Sequence, residues 1–252
     1  MITPSEIRLK LDTFLLSVQK PGRYVGGEYG QIKKEWGSTP IHFALVFPEL
    51  YDIGVPNLGV TILYDIINSR KDALCERSYL PWLDMESQMR ANSIPLYSLE
   101  SMHPIKEFDI VGFSLPYETL YTNVLNALDL AKIPLRSKDR DENCPLIIAG
   151  GHAVYNPEPM SEFIDAFVIG EGEEIILEIL DTVKLSKKQK YSRNNTLELL
   201  QKIPGVYVPL FYDVKYKPDF TLESIDRQSD RFPKKIIKRF VPKLPALMPD
   251  LG

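Results

Sequence analysis

Few side chains in this 252-residue sequence are equipped for catalysis or metal binding on their own. Cysteine occurs twice, at Cys75 and Cys144, and that wide separation matches neither a C-x-x-C redox pair nor a zinc site. A protein-held iron–sulfur cluster needs at least a third cysteine. The histidines, His42, His103 and His152, are dispersed and write no local metal cluster. His152 directly follows Gly150-Gly151 and reads in two ways: a contact to a cofactor or substrate, or, more plainly, a loop histidine capping nearby backbone. His42 falls within an apolar run as a core or edge residue, and His103, before Pro104, reads as a surface turn residue.

The remaining chemistry lies in four segments rich in glycine and small residues: PELYDIGVPNLG, SLPYET, GGHAVYNPEP and GEGEE. Glycine lets backbone approach a ligand closely, and exposed amides face phosphate or amide groups. Each segment also has a plain structural reading. Paired glycines permit a tight turn, and Asn156-Pro157-Glu158-Pro159 sets a rigid one. Glu171, Glu173 and Glu174 complement the positive end of a helix, at about 0.3–1 kcal/mol per charge, and would repel a phosphate. Tyr51 and Tyr117 either stack on a flat ligand or pack as ordinary aromatics.

These segments are spaced by alternating strands and helices. IHFALVF predicts a buried strand closed by Pro48, and NLGVTILYDIINSR a helix with Leu58, Ile62, Leu63 and Ile66 at helical spacing. CERSYL predicts a second strand, and WLDMESQMRANS a helix with Trp82, Met85 and Met89 on one face. FDIVGFSL, CPLIIAGG and IDAFVIGEGE predict three further strands, with helices at TLYTNVLNALDLAKI and EEIILEIL. Such alternation makes an α/β fold: a doubly wound parallel sheet, Rossmann- or flavodoxin-like, with ligands beyond the carboxyl ends of its strands. The predicted division is a wrapping segment at 1–40, the α/β domain at 41–185, and 186–252 as polar loop, short helix, small β appendage and linker. Within the last part, KLSKKQKYSRNN predicts the loop, TLELLQKI the helix, and GVYVPLFYDVKY and FPKKIIKRFV the strands.

Composition bounds the class. With 44% hydrophobic and 25% charged residues the chain has enough apolar material for a core. A net charge of −4 advertises no basic surface for nucleic acid, and Lys187, Lys188, Lys190 and Arg193 read as a solvated run. No apolar run approaches membrane-spanning length, and the N-terminus lacks the pattern of a signal peptide. With two cysteines and no export signal, the expected compartment is the cytoplasm.

Taken in order, PNLGVTILYDII, VGFSLPYETL, LIIAGGHAVYNPEP and DAFVIGEGEEIILEIL resemble the cobalamin-binding-type domain at the N-terminus of many radical S-adenosylmethionine (radical SAM) proteins. VQKPGRYVGGEYG and IPGVYVPLFYDV are similar to an uncharacterised radical SAM family carrying this domain, so the resemblance spans Leu16 to Tyr212. It implies a first loop of the form D-x-H-x-x-G whose histidine ligates cobalt. Here the loop reads Asp52-Ile53-Gly54-Val55-Pro56-Asn57, with Gly59 beyond, so glycine stands in the histidine's place and any cobalamin is expected base-off. It implies that Ser114 and Leu115 meet the buried nucleotide tail and that Gly150 and Gly151 leave space for it, with His152, Gly170 and Gly172 on the same edge. Ser114 and Gly150 are 36 residues apart, longer than the family's usual interval, with KDRDEN as the expected inserted polar loop.

The cluster-binding C-x-x-x-C-x-x-C loop is absent from this sequence. The resemblance therefore implies an accessory, catalytically silent fragment that positions cobalamin or substrate for a downstream barrel, which would carry the iron–sulfur cluster and S-adenosylmethionine. The competing expectation is a cofactor-free scaffold or interaction module of the same fold, docking the barrel or a macromolecule. A filled-in slot between the first helix and the Gly150 loop would favour it. A flavin or nucleotide site of flavodoxin type fits less well, because the first loop lacks a run of hydroxyls and glycines to cradle phosphate.

Overall fold

A computed structural model describes residues 2–242; the linker expected over the final residues lies mostly outside them. Helix α1 (Pro4–Phe14) opens the chain on a capping box between Thr3 and Glu6 and buries Ile7 and Leu11. The alternating body follows: β1 (Ile41–Leu50), the short α2 (Tyr51–Gly54), α3 (Leu58–Ser69), β2 (Ala73–Leu80), α4 (Leu83–Ala91), β3 (Ile110–Ser114) and α5 (Tyr121–Leu130). Then come β4 (Leu146–Gly150), β5 (Ala166–Val168), α6 (Gly172–Gln189), α7 (Arg193–Leu200), β6 (Val206–Tyr207), β7 (Tyr212–Tyr216) and β8 (Leu222–Arg227).

The main sheet has the order β2-β1-β3-β4-β5-β6, with its first five strands parallel and β6 antiparallel to β5. This is the doubly wound α/β arrangement. Alternation along β1 divides the interior in two: Phe43, Leu45 and Phe47 face α3, α6 and α7, while Ala44 and Val46 face α1, α4 and α5. Strand order reverses between β1 and β3, so the loops after these strands diverge to opposite faces and leave a crevice at that point.

Several local expectations are corrected. Strand β1 runs through Pro48 to Leu50, because the ladder to β2 loses register between Phe47 and Leu50 and so tolerates the missing N–H. The polar stretch after Leu185 does not begin as a loop: α6 continues to Gln189, and Lys187 in its last turn binds Asp109 (2.7 Å) and the Pro40 carbonyl (2.7 Å). Strand β6 joins the main sheet, so the separate small sheet consists of β7 and β8 alone. The latter strand, LESIDR, carries no apolar run to announce it. The expected strand at FPKKIIKRFV forms only a single bridge, Gly170 to Arg239, since it has no full-length partner.

The KDRDEN segment is a polar loop with a buried centre. Arg140 has a fully buried side chain and donates to the carbonyls of Pro134, Leu135 and Phe163. It shares Asp165 with Arg193, which in turn holds the carbonyls of Asp141, Cys144 and Pro145. Desolvation is offset in part: most of the guanidinium nitrogens find acceptors, while Arg140 Nη1, ion-paired with Asp165 at 3.1 Å, and Arg193 Nε make no hydrogen bond.

Candidate functional site

At the carboxyl ends of β1, β3, β4 and β5 a cleft of about 310 Å³ opens between α3 and α6. That volume falls at the lower end of small-molecule sites, which span roughly 300–1,000 Å³. Gly59, Ile62 and Leu63 of α3 form one wall and Gly172, Glu173 and Ile176 of α6 the other. The floor is apolar, made by Phe43, Leu45, Ile148 and Val168 around Gly112, while Ser114, His152 and Glu171 bring polar groups to the mouth.

Glycine is what keeps the cleft open. A Cβ on Gly112 would overlap the Phe43 ring, whereas one on Gly150 would meet nothing closer than Val168 at 3.7 Å. Gly151 turns the chain at φ +111° and presses on the Leu115 carbonyl, where any Cβ would collide. The two loops interlock there: Leu115 N–H donates to the Gly150 carbonyl (2.7 Å), and Ala153 N–H to the Leu115 carbonyl (3.0 Å).

The residues singled out from sequence divide accordingly. Gly59, Ser114, Gly150, Gly151, His152, Gly170 and Gly172 all line the cleft. Asp52, Gly54, Asn57 and Leu115 do not. Asp52 is taken by Lys20 (2.8 Å) and Arg23 (2.5 Å), which hold its carboxyl below the usual carboxylate range. Asn57 caps α3 by accepting the Val60 N–H (3.1 Å), and Leu115 is buried in the core on the α5 side. Gly54 is buried against Tyr79 and Phe47.

Among the aromatics, Tyr51 packs edge-on against Tyr79 at 5.7 Å, outside the cleft lining, and Tyr117 stands 40% exposed. His103 is not a surface turn residue. Trp36 lies flat between its ring (3.7 Å) and that of His42 (3.9 Å), and His42 Nε2 donates to the Trp36 carbonyl (3.0 Å). Behind His103, Ser101 Oγ lies 2.7 Å from Nδ1 and donates to the buried Glu76 carboxylate, as Ser98 does. No sequence signal announces this cluster, because its members come from four separate segments.

The geometry bears directly on the cobalamin expectation. The cleft, about 310 Å³ and floored by Phe43, Leu45, Ile148 and Val168, has the volume and apolar lining to take a nucleotide-base-sized group. An axial histidine from the first loop does not fit: a side chain at position 54 would run into Tyr79 ring atoms. Among the described residues no group of three or more His, Cys, Asp or Glu is placed to hold a metal ion, and no helix is long and apolar enough to cross a membrane.

The family of radical SAM proteins, N-terminal region, matches residues 59–209, more than half of the chain. The chain belongs to this family. The match begins at the α3 wall of the cleft and includes Ser114, Gly150 and the α6 wall, so the radical SAM N-terminal region contains most of the site. An uncharacterized protein of Methanocaldococcus jannaschii is 25% identical over 193 residues, covering 71% of this chain and 37% of the relative. The radical SAM N-terminal chain thus spans little more than a third of that relative's length. No solved structure matches it.

Proposed function

We propose that this radical SAM N-terminal domain is an accessory module that holds the nucleotide tail of a base-off cobalamin in the α3–α6 cleft, facing a cluster-bearing barrel elsewhere in a longer protein. The observation that carries the reading is the cleft itself: a slot at the sheet's switch point, kept open by Gly59, Gly112, Gly150 and Gly172. Bound cobalamin would supply methyl-transfer or radical-rearrangement chemistry. The chain's own part is to bind and orient. Phe43, Leu45, Ile148 and Val168 exclude water from a flat apolar group, Ser114 offers a hydroxyl to its polar edge, and His152 stands at the mouth. Iron–sulfur and S-adenosylmethionine chemistry belongs, on this reading, to the barrel, and the compartment is the cytoplasm.

The test is anaerobic incubation with hydroxocobalamin, desalting, and an absorption spectrum, for the native chain and for Gly150→Leu. Stoichiometric base-off corrinoid on the native protein, lost in the variant while circular dichroism is unchanged, is the expected result. A folded native protein without retained colour would favour the scaffold reading instead. One observation leans that way: Leu58, next to the cleft-lining Gly59, presents an apolar side chain at 63% exposure, as a docking face would.

A further inference from the structure

The sequence reads the carboxylates of GEGEE as partners of the α6 dipole. In the structure two of them, Glu171 and Glu174, hold a strap. Residue Arg239 lies beside the β5–α6 turn, its N–H donating to the Ile169 carbonyl (2.9 Å) and its carbonyl accepting the Glu171 N–H (3.1 Å). Its guanidinium reaches Glu178 (2.5 Å) and Glu174 (3.4 Å), on the outer face of α6. Two residues on, Val241 N–H donates to the Glu171 carboxylate. Gly170, at φ +120°, leaves no room for a Cβ beneath the Arg239 carbonyl, and Gly205 faces the Arg239 Cβ at 3.1 Å. Two glycines with left-handed backbone thus exist where this one residue presses down.

Gly170, Glu171 and Gly172 are also one wall of the cleft. We infer that residues 236–241 form a strap that fixes this wall, with Arg239 as its positioning residue. The inference rests on the reading of the cleft as a ligand site for its consequence: by linkage, whatever pulls residues 236–241 off the wall loosens the cleft, and a ligand that needs the wall in place tightens the strap.

Hydrogen exchange on the whole chain tests it without a ligand. In Arg239→Ala, amides of 169–175 are expected to exchange about tenfold faster, with those of 41–50 unchanged, as local opening requires. Arg239→Lys, which keeps the charge, should recover part of the protection; Arg231→Ala, which removes an exposed pair with Glu198, should change neither segment. Unchanged exchange at 169–175 in Arg239→Ala overturns the inference, and so does a uniform rise across the sheet, which marks a residue of general stability. Hydroxocobalamin titration supplies the second arm. Measurable and equal retention by native protein and Arg239→Ala also overturns the strap. A native protein that retains none counts against the cofactor reading alone, and the exchange result still decides the strap.

Discussion

Buried charge in this molecule shows how a single residue responds to its surroundings. Glu100 is 3% exposed and accepts from the Arg77 backbone N–H (2.7 Å) and from Arg77 Nε (2.7 Å). Burial nonetheless outweighs the guanidinium and pushes the carboxyl up to about 7, from an ordinary 4.5. The folded state therefore holds more protons than the unfolded chain between these values. This contribution to stability is fully present below about 4.5 and is lost as pH rises through about 7. Glu100→Gln should flatten that part of the profile, measured as urea midpoints from pH 4.5 to 7.5. A slope that survives the substitution would assign the dependence to another group. Gly54 is the counterpart in shape. The resemblance marks it only as a missing histidine, but the Tyr79 ring occupies the space, so restoring a histidine would crowd the core without making a ligand.

At the level of elements, the loop between α5 and β4 depends on one arginine. Its charged letters point to solvent, yet Arg140 is sealed inside and ties the loop to β5 and α7 through Asp165 and Arg193. Removing one member of such a group strands the rest, at a cost of about 3–5 kcal/mol. Arg140→Met is expected to lose that much in denaturant unfolding, and to open residues 134–145 to protease before the rest of the chain. Loss below about 1 kcal/mol would mean that solvent already reaches Asp165. Helix α6 is the opposite case. Ile175, Ile176, Ile179, Leu180 and Val183 recur at helical spacing and announce it, while its extension to Gln189 depends on a distant carboxylate, Asp109, receiving Lys187.

For the whole molecule, stability is concentrated in the six-stranded sheet and its two apolar layers. The β7–β8 hairpin stands apart: its turn carries Phe220 at 87% exposure, and most of its strand residues are exposed. A two-stranded ribbon has little stability of its own. Limited proteolysis of the native chain should therefore cut first at residues 217–221, leaving a product with the circular dichroism of the intact sheet. First cleavage inside 110–150 would show that the sheet is the weaker part.

The sequence by itself determined the alternating strands and helices, their order, and the four loops that carry small residues. Each follows from apolar periodicity and turn chemistry within a few positions. Its motif resemblance pointed to the N-terminal region of radical SAM proteins, the family that residues 59–209 match. Only the tertiary structure decided which loops meet. Ser114 and Gly150 face Gly59 across a cleft because β3 and β4 lie beside β1 and α3 folds over them, whereas Asp52 and Asn57, on a loop equally rich in signal, turn to an ion pair and a helix cap. Arg239 reaches Gly170, and Trp36 slides between His42 and His103, across stretches of chain with no shared pattern. Such contacts are chosen by the packing of layers already formed, and layer packing has no period that a linear text records.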